Sequence, residues 1–221
     1  MIGRLAITAL LLLWLVPVRA GAQDDRLSRL DGRTRAEVVA LVDSARAAGL
    51  PTEPLVDKAL EGASKRADGS RIAAAVRALS RELMAARAAL GVVASEAELV
   101  AGADALRAGA GPAVLTRLRA MRQTEALTIP LAVLSDLVAR GVPADTAAGA
   151  VLALAGSGAK DADFVTLRRN VERDIMAGAP PVVAASIRSR GLPSSLPPTP
   201  TRGAVGDAAS PQALEGTKRR P

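Results

Sequence analysis

The chain has 221 residues, a formal net charge of +7, and neither Cys nor His. These absences exclude disulfides, thiolate nucleophiles, histidine bases, haem attachment through cysteine, and zinc sites built from thiolate or imidazole ligands. Ser, Thr, Lys and the carboxylates are the side chains left for chemistry. We therefore predict neither a cofactor nor a metal ion.

The N-terminus has the pattern of a secretory signal peptide. Arg4 precedes an apolar run over residues 5–16, and small residues follow that run. The run is shorter than the roughly 20 residues that a membrane-spanning helix needs. We predict cleavage between Ala22 and Gln23, because Ala20 and Ala22 place small side chains at both positions that the peptidase must accommodate.

The route and destination follow from what this signal lacks. A lipoprotein needs a cysteine at the cleavage point, and a twin-arginine signal needs adjacent arginines before the apolar run; the chain has neither. We predict Sec-type export to the periplasm or the medium, with no transmembrane anchor after cleavage. The chain then divides into a signal peptide, 1–22, a helical domain, 23–190, and a disordered, Pro-rich basic tail, 191–221.

Start and stop signals predict an all-α domain of short, Ala-rich helices. Alanine has the highest helix propensity, and its small side chain lets helices approach closely. Two capping boxes and two single caps are expected at helix starts: Thr34 with Glu37, Ser95 with Glu98, Thr128, and Asp161. The predicted helices cover about 34–48, 51–65, 68–90, 95–109, 112–121, 128–141, 143–155, 161–178 and 181–190.

A Gly-x-Pro sequence recurs at 49–51, 141–143, 178–180 and 191–193, with Gly111-Pro112 as a shortened form. A glycine after one helix and a proline set for the start of the next make a tight corner between them. The copies are unevenly spaced, so no known repeat family is indicated. We expect consecutive helical hairpins, forming either an irregular α-solenoid or a compact helical bundle.

Ser157 and Lys160 provide the only catalytic pattern that we find. They have the S-x-x-K spacing of Ser-Lys acylases. That pair acts from the start of a helix, whereas here it follows Gly156 and precedes the expected cap Asp161. The companion S-D-N and K-T-G motifs are absent. We therefore predict an interhelical loop at this position.

Three carboxylates, Glu53, Asp57 and Glu61, line one side of a predicted helix. One helix face cannot wrap a calcium ion, which takes about six to eight oxygen ligands. Because Lys58 and Lys65 are nearby, we predict a solvated, charged face. Asp161 and Asp163 are likewise interpreted as an acid-enriched helix start.

Arginines cluster at two places, 77 with 81, and 168 and 169 with 173. Nucleic-acid grooves usually pair such charge with stacking aromatic side chains, and Phe164 is the one aromatic residue after the predicted cleavage site. We expect no nucleic-acid partner. We also expect Glu172, four residues after Arg168, to neutralise part of the second cluster.

By elimination, the sequence favours a non-catalytic, exported helical protein of the cell envelope, an interaction or structural module that binds another envelope protein. A Ser-Lys hydrolase using Ser157 and Lys160 is the alternative from the enzyme class. A third hypothesis is weak binding of anionic envelope polymers or lipid head groups through Lys218, Arg219 and Arg220 in the tail.

We expect the exported protein to begin at Gln23. N-terminal sequencing, or the intact mass of protein recovered from the envelope and the medium, measures this directly. A recovered chain that still begins at Met1 would show that the N-terminal segment is not a cleaved signal.

Overall fold

A computed structural model of the chain describes residues 26–190. In this range the chain is all-helical and contains no strand, as the sequence predicts. Several predicted features lie outside the described residues: the signal positions Ala20, Ala22 and Gln23, the tail, 191–221, and its basic residues Lys218, Arg219 and Arg220.

The described part contains a short 3-10 turn, Leu27–Arg29, and nine α-helices, each overlapping one of the predicted helices. They are α1 (Gly32–Ala47), α2 (Glu53–Ser64), α3 (Gly69–Leu90), α4 (Glu96–Arg107), α5 (Pro112–Met121), α6 (Thr128–Ala139), α7 (Ala144–Gly156), α8 (Asp161–Met176) and α9 (Pro181–Arg190).

The helices form two layers. Within residues 26–190, every extensive contact joins helices that are neighbours or next-but-one neighbours in chain order. The odd-numbered helices form one layer, because each packs against the next odd-numbered helix, and α4, α6 and α8 form the other layer in the same way. A closed bundle would bring distant helices together, whereas this order of contacts is that of an open, irregular α-solenoid.

Six of these helices end in the same hydrogen-bonded corner. The residue after the C-cap has a positive φ, and two successive N–H groups bond back to carbonyls of the last turn, which is the Schellman arrangement. After α6, Gly141 N donates to Val138 O at 2.9 Å and Val142 N donates to Leu137 O at 3.1 Å. The left-handed residues are Gly49, Arg66, Gly109, Gly141, Gly158 and Gly178.

The structure confirms three of the predicted Gly-x-Pro corners, at Gly49, Gly141 and Gly178. The shortened corner at Gly111-Pro112 was assigned to the wrong glycine. Gly109 has a φ of +103° and turns the chain, whereas Gly111 has a φ of −74° and is the N-cap of α5. The fourth full copy, 191–193, lies outside the described residues.

The expected caps are corrected at three helix starts. Asp31 caps α1 by accepting a bond from Thr34 N at 3.0 Å, so Thr34 is a buried first-turn residue rather than the cap. Thr128 and Asp161 are the first residues of α6 and α8, one position after the N-cap. The capping box of Ser95 with Glu98 is confirmed at the start of α4.

Leucine, valine and alanine fill the core between the layers, and Phe164 is the largest of the fully buried side chains. Helices approach closely at Gly102 of α4. A Cβ atom added there would lie 3.1 Å from Ala86 Cβ on α3 and 3.3 Å from Leu115 Cδ2 on α5. The absence of a side chain at this position thus sets the spacing of three helices.

Between residues 26 and 190, no helix is long and apolar enough to cross a bilayer.

We expect Arg66→Gly to stabilise the protein, by up to about 1 kcal/mol, because Arg66 has a φ of +54° in a position that favours glycine. Gly141→Ala should destabilise it by a similar amount, since its φ is +88°. Urea unfolding monitored by circular dichroism measures both changes. Equal midpoints for Arg66→Gly and the parent chain would contradict this account of the corner.

Candidate functional site

Glu98 is a buried carboxylate that joins three helices. Glu98 is 5% exposed, and each of its two carboxylate oxygens accepts at least one hydrogen bond. Oε2 accepts from Ser95 N at 2.8 Å, and Oε1 accepts from Leu127 N at 2.8 Å and from Arg119 Nη2 at 2.6 Å. One side chain therefore links the start of α4, the end of α5 and the start of α6.

The ionised form of Glu98 is favoured in spite of its burial. Desolvation opposes the charge, but the N–H groups of Ser95 and Leu127 and the guanidinium of Arg119 outweigh it and lower the pKa of Glu98. Arg119 also donates to the carbonyls of Arg122 and Glu125, both at 3.3 Å. The charge on Glu98 thus holds the loop between α5 and α6 through Arg119.

Arg122 extends this cluster to the corner between α7 and α8. The residue is 5% exposed, and it donates to Ala159 O at 2.6 Å and to Asp161 Oδ1 at 2.8 Å. Its guanidinium carbon lies 5.2 Å from the centre of the Phe164 ring, within the range of a cation–π contact. We call Glu98, Arg119, Arg122 and the half-exposed Asp161 the buried ion cluster.

The buried ion cluster joins corners and does not leave a nucleophile or general base poised for chemistry. Each of its carboxylates accepts bonds from arginine, and the two arginines hold backbone carbonyls that end or connect helices. The capping box at Ser95 was the sequence signal for Glu98. Nothing local to Arg122 indicated partners that lie 37 and 39 residues further along the chain.

Ser157 and Lys160 lie between α7 and α8, as the sequence predicts for a loop. Ser157 is the C-cap of α7, and its hydroxyl donates to Leu154 O at 2.8 Å. Lys160 is the N-cap residue of α8, and its backbone N–H donates to Asp163 Oδ2 at 2.8 Å. Both residues thus take part in ending one helix and starting the next.

The three carboxylates of α2 are paired with basic side chains. Arg26 donates to Glu53 and, at 2.8 Å, to Asp57. Glu61 accepts from Lys65 and, at 2.9 Å, from Lys58, and these two ammonium groups lower its pKa to about 2. Within residues 26–190, no group of three or more acidic side chains is placed to hold a metal ion.

One arginine of each cluster pairs with a carboxylate from another helix. Arg77 pairs with Glu37 of α1. Arg168 donates to Asp136 of α6 at 2.7 Å, while Glu172 accepts from Arg140 at 3.1 Å. The expectation that Glu172 neutralises Arg168 within α8 is therefore wrong. Asp136 in α6 and Arg140 at its C-cap lie in the neighbouring helix of the same layer and pair with these two side chains instead.

Among the exposed large apolar side chains of residues 26–190, two groups of neighbours stand out. At the corner between α3 and α4, Val92 is 86% and Val93 77% exposed. The backbone there is held by Arg87, which donates to Val92 O at 3.1 Å and to Gly49 O at 2.8 Å. We call Val92 and Val93 the valine corner. Its apolar side chains stand on a loop whose path is fixed by a side chain of α3.

The second exposed surface belongs to the last described helix. Val182, Val183 and Ile187 of α9 are 43%, 43% and 61% exposed. Ala184 and Ala185 form the buried side of the same helix. Arg188 donates from Nε and Nη2 to the two carboxylate oxygens of Asp174 of α8, at 2.7 and 2.8 Å. We call Val182, Val183 and Ile187 the α9 face.

No protein-family model, no curated protein and no solved structure matches the chain. The candidate site is therefore defined by its own geometry. It consists of two surfaces, the valine corner, which Arg87 holds, and the α9 face, whose helix is joined to α8 by Arg188 and Asp174.

We expect Glu98→Gln to destabilise the protein at pH 7 by about 1–3 kcal/mol, because it weakens a buried acceptor of three hydrogen bonds. Glu96→Gln is the matched control, since Glu96 is exposed in the same first turn and carries the same charge. The control should change stability by about 0.5 kcal/mol or less. Urea unfolding measures both variants.

The difference in stability between the parent chain and Glu98→Gln should also depend on pH. The pKa of Glu98 is lower in the folded state than its ordinary value of 4.5, so its contribution is complete above that pH and is lost as the pH falls below it. The stability gap between the parent chain and Glu98→Gln should shrink from pH 7 toward pH 3. A gap that stayed constant across this range would contradict a stabilising charge.

Proposed function

We propose that the protein is an exported, non-catalytic helical protein of the cell envelope that binds another envelope protein through the valine corner. The observation that carries the proposal is the exposure of two adjacent valines, 86% and 77%, on a loop held by Arg87. Contiguous exposed apolar surface, when a partner covers it, contributes to binding, which supports a contact at this loop.

The preorganisation of the valine corner supports binding. A loop that is already ordered loses little conformational entropy when a partner covers it, so more of the apolar burial contributes to affinity. Arg87 fixes this loop to the end of α1 through Gly49 O, so the corner does not depend on one helix alone. A partner would offer an apolar pocket for the two valine side chains.

The arrangement of the helices supports a binding module over an enzyme. Open α-solenoids present extended surfaces to partners. The Ser157 hydroxyl, the one nucleophile of a catalytic pattern, donates to a carbonyl in its own helix end. Export rests on the signal pattern of the sequence.

A photo-crosslinking amino acid at Val93 should give a discrete adduct with one envelope protein in living cells, because this side chain would lie within the interface. The same amino acid at Thr166, an exposed position of α8, is the matched control and should give no such adduct. Adducts are measured by gel shift and identified by mass spectrometry.

The Val92→Ser change should abolish the Val93 adduct while leaving the thermal midpoint unchanged, since Val92 is exposed and adds little to the core. Identical adduct patterns at Val93 and Thr166, or an adduct that survives Val92→Ser at full yield, would refute the valine corner as the binding surface.

A further inference from the structure

The corners have a feature that bears on the uncovered α9 face. In the Schellman arrangement, the apolar residue after the left-handed position packs on the residue five positions before it. Four described corners pair apolar residues in this way, and all eight side chains are buried: Ala45 with Leu50, Ala105 with Ala110, Leu137 with Val142, and Leu154 with Ala159.

Ile187 of α9 occupies the sequence position of the first member of such a pair. Ile187 lies four residues before Gly191, as Ala45 lies four residues before Gly49 and Leu137 before Gly141. Whereas Ala45 and Leu137 are buried, Ile187 is 61% exposed. The sequence continues with Gly191, Leu192 and Pro193, the same Gly-x-Pro that turns the chain at the confirmed corners.

We propose that the segment 191–196 of this chain covers the α9 face. Residues 191–193 have the Gly-x-Pro sequence of the confirmed corners, and in a corner of that type the apolar side chain at position 192 would contact Ile187. Terminal caps of this kind are required in solenoids, because the last repeat has no following repeat to bury its apolar side.

The length and composition of the segment fit this role. Val183 lies one turn before Ile187, about 6 Å along the helix axis. The four residue-to-residue steps from Leu192 to Leu196 span up to about 13 Å, so Leu196 can reach Val183. Pro197 and Pro198 follow. They prevent a tenth helix from continuing, so the segment ends the array rather than extending it.

The chain's own segment is favoured over a separate partner by its attachment. It begins at the residue after α9, so its effective concentration at the α9 face is in the millimolar range or above, without any diffusional encounter. A second molecule would have to displace it. Of the predicted disordered tail, the proposal leaves residues 197–221 unassigned and gives a role to its first six.

The first experiment compares thermal midpoints of the full chain. Leu192→Asp should lower the midpoint by about 2–4 °C, because a charge replaces the leucine that covers Ile187. Leu214→Asp makes the same change in the far part of the tail and should leave the midpoint unaltered. Likewise Gly191→Val should lower it, and Gly203→Val should not. Equal midpoints for Leu192→Asp and Leu214→Asp would overturn the proposal.

The second experiment measures the covering itself. Because the chain has no Cys, the variant Val183→Cys carries a single thiol on the α9 face. Its alkylation should become several-fold faster when Leu192→Asp is added, while the thiol of Val92→Cys should react at the same rate in both backgrounds. An unchanged rate at residue 183 would show that the segment does not cover the face.

A second copy of the chain is the competing occupant. If it covers the α9 face, the alkylation rate at residue 183 will fall as protein concentration rises, and light scattering will show a dimer that Leu192→Asp does not disrupt. That result would also overturn the proposal. The valine corner is unaffected by any of these changes, so failure here and failure of the crosslinking experiment remain distinguishable.

Discussion

The hydrogen-bonded corner that ends six of the nine described helices is the constraint on which the rest of this structure depends. A helix leaves its last carbonyl groups without partners, and two N–H groups folded back around a left-handed residue satisfy two of them. The same turn delivers an apolar side chain to the helix end, where Leu50 and Val142 are buried. One local turn thus both reverses the direction of the chain and places an apolar side chain in the core. The chain has no disulfides, and Phe164 is the one aromatic residue in the described part. It uses this turn at six helix ends.

Ion pairs and hydrogen bonds of charged side chains join parts of the chain that lie in different hairpins. Glu98 holds the end of the α5–α6 loop to the start of α4, and Arg122 holds the start of that loop to the α7–α8 corner through Ala159 O and Asp161. Because buried charges are costly unless they are paired and hydrogen-bonded, these contacts favour one stacking of the hairpins over others. The ion pairs on the surface stabilise the fold less than these buried contacts, since exposed ion pairs contribute little to the free energy of unfolding.

The sequence was sufficient for the local structure and insufficient for the long-range contacts. All nine helices and three Gly-x-Pro corners were predictable, because helix starts, left-handed glycines and apolar periodicity are local signals. The errors at Thr34 and Gly111 arose where a second residue, Asp31 or Gly109, offered the same chemistry a few positions away. Arg66 was missed because a non-glycine residue rarely takes a left-handed corner.

In the candidate site, too, local features were predictable from the sequence and long-range contacts were not. Ser95 and Glu98 were found by their spacing, whereas the roles of Arg119 and Arg122 depend on how helices separated by 20 residues or more stack against one another. The partner of Arg168 was mistaken for the same reason, since Asp136 comes from the neighbouring helix of its layer. Exposure of Val92, Val93 and Ile187 likewise follows from stacking and not from local pattern.

Residue-resolved amide hydrogen exchange at the corners tests the central claim most directly. The N–H groups of Leu50, Ala110, Val142 and Ala159 donate the second hydrogen bond of each corner. If the corners are structural units of the core, these four amides will be protected to an extent comparable with the interiors of the helices that they end. Exchange at the rate of an open loop, with the helices still protected, would contradict the account.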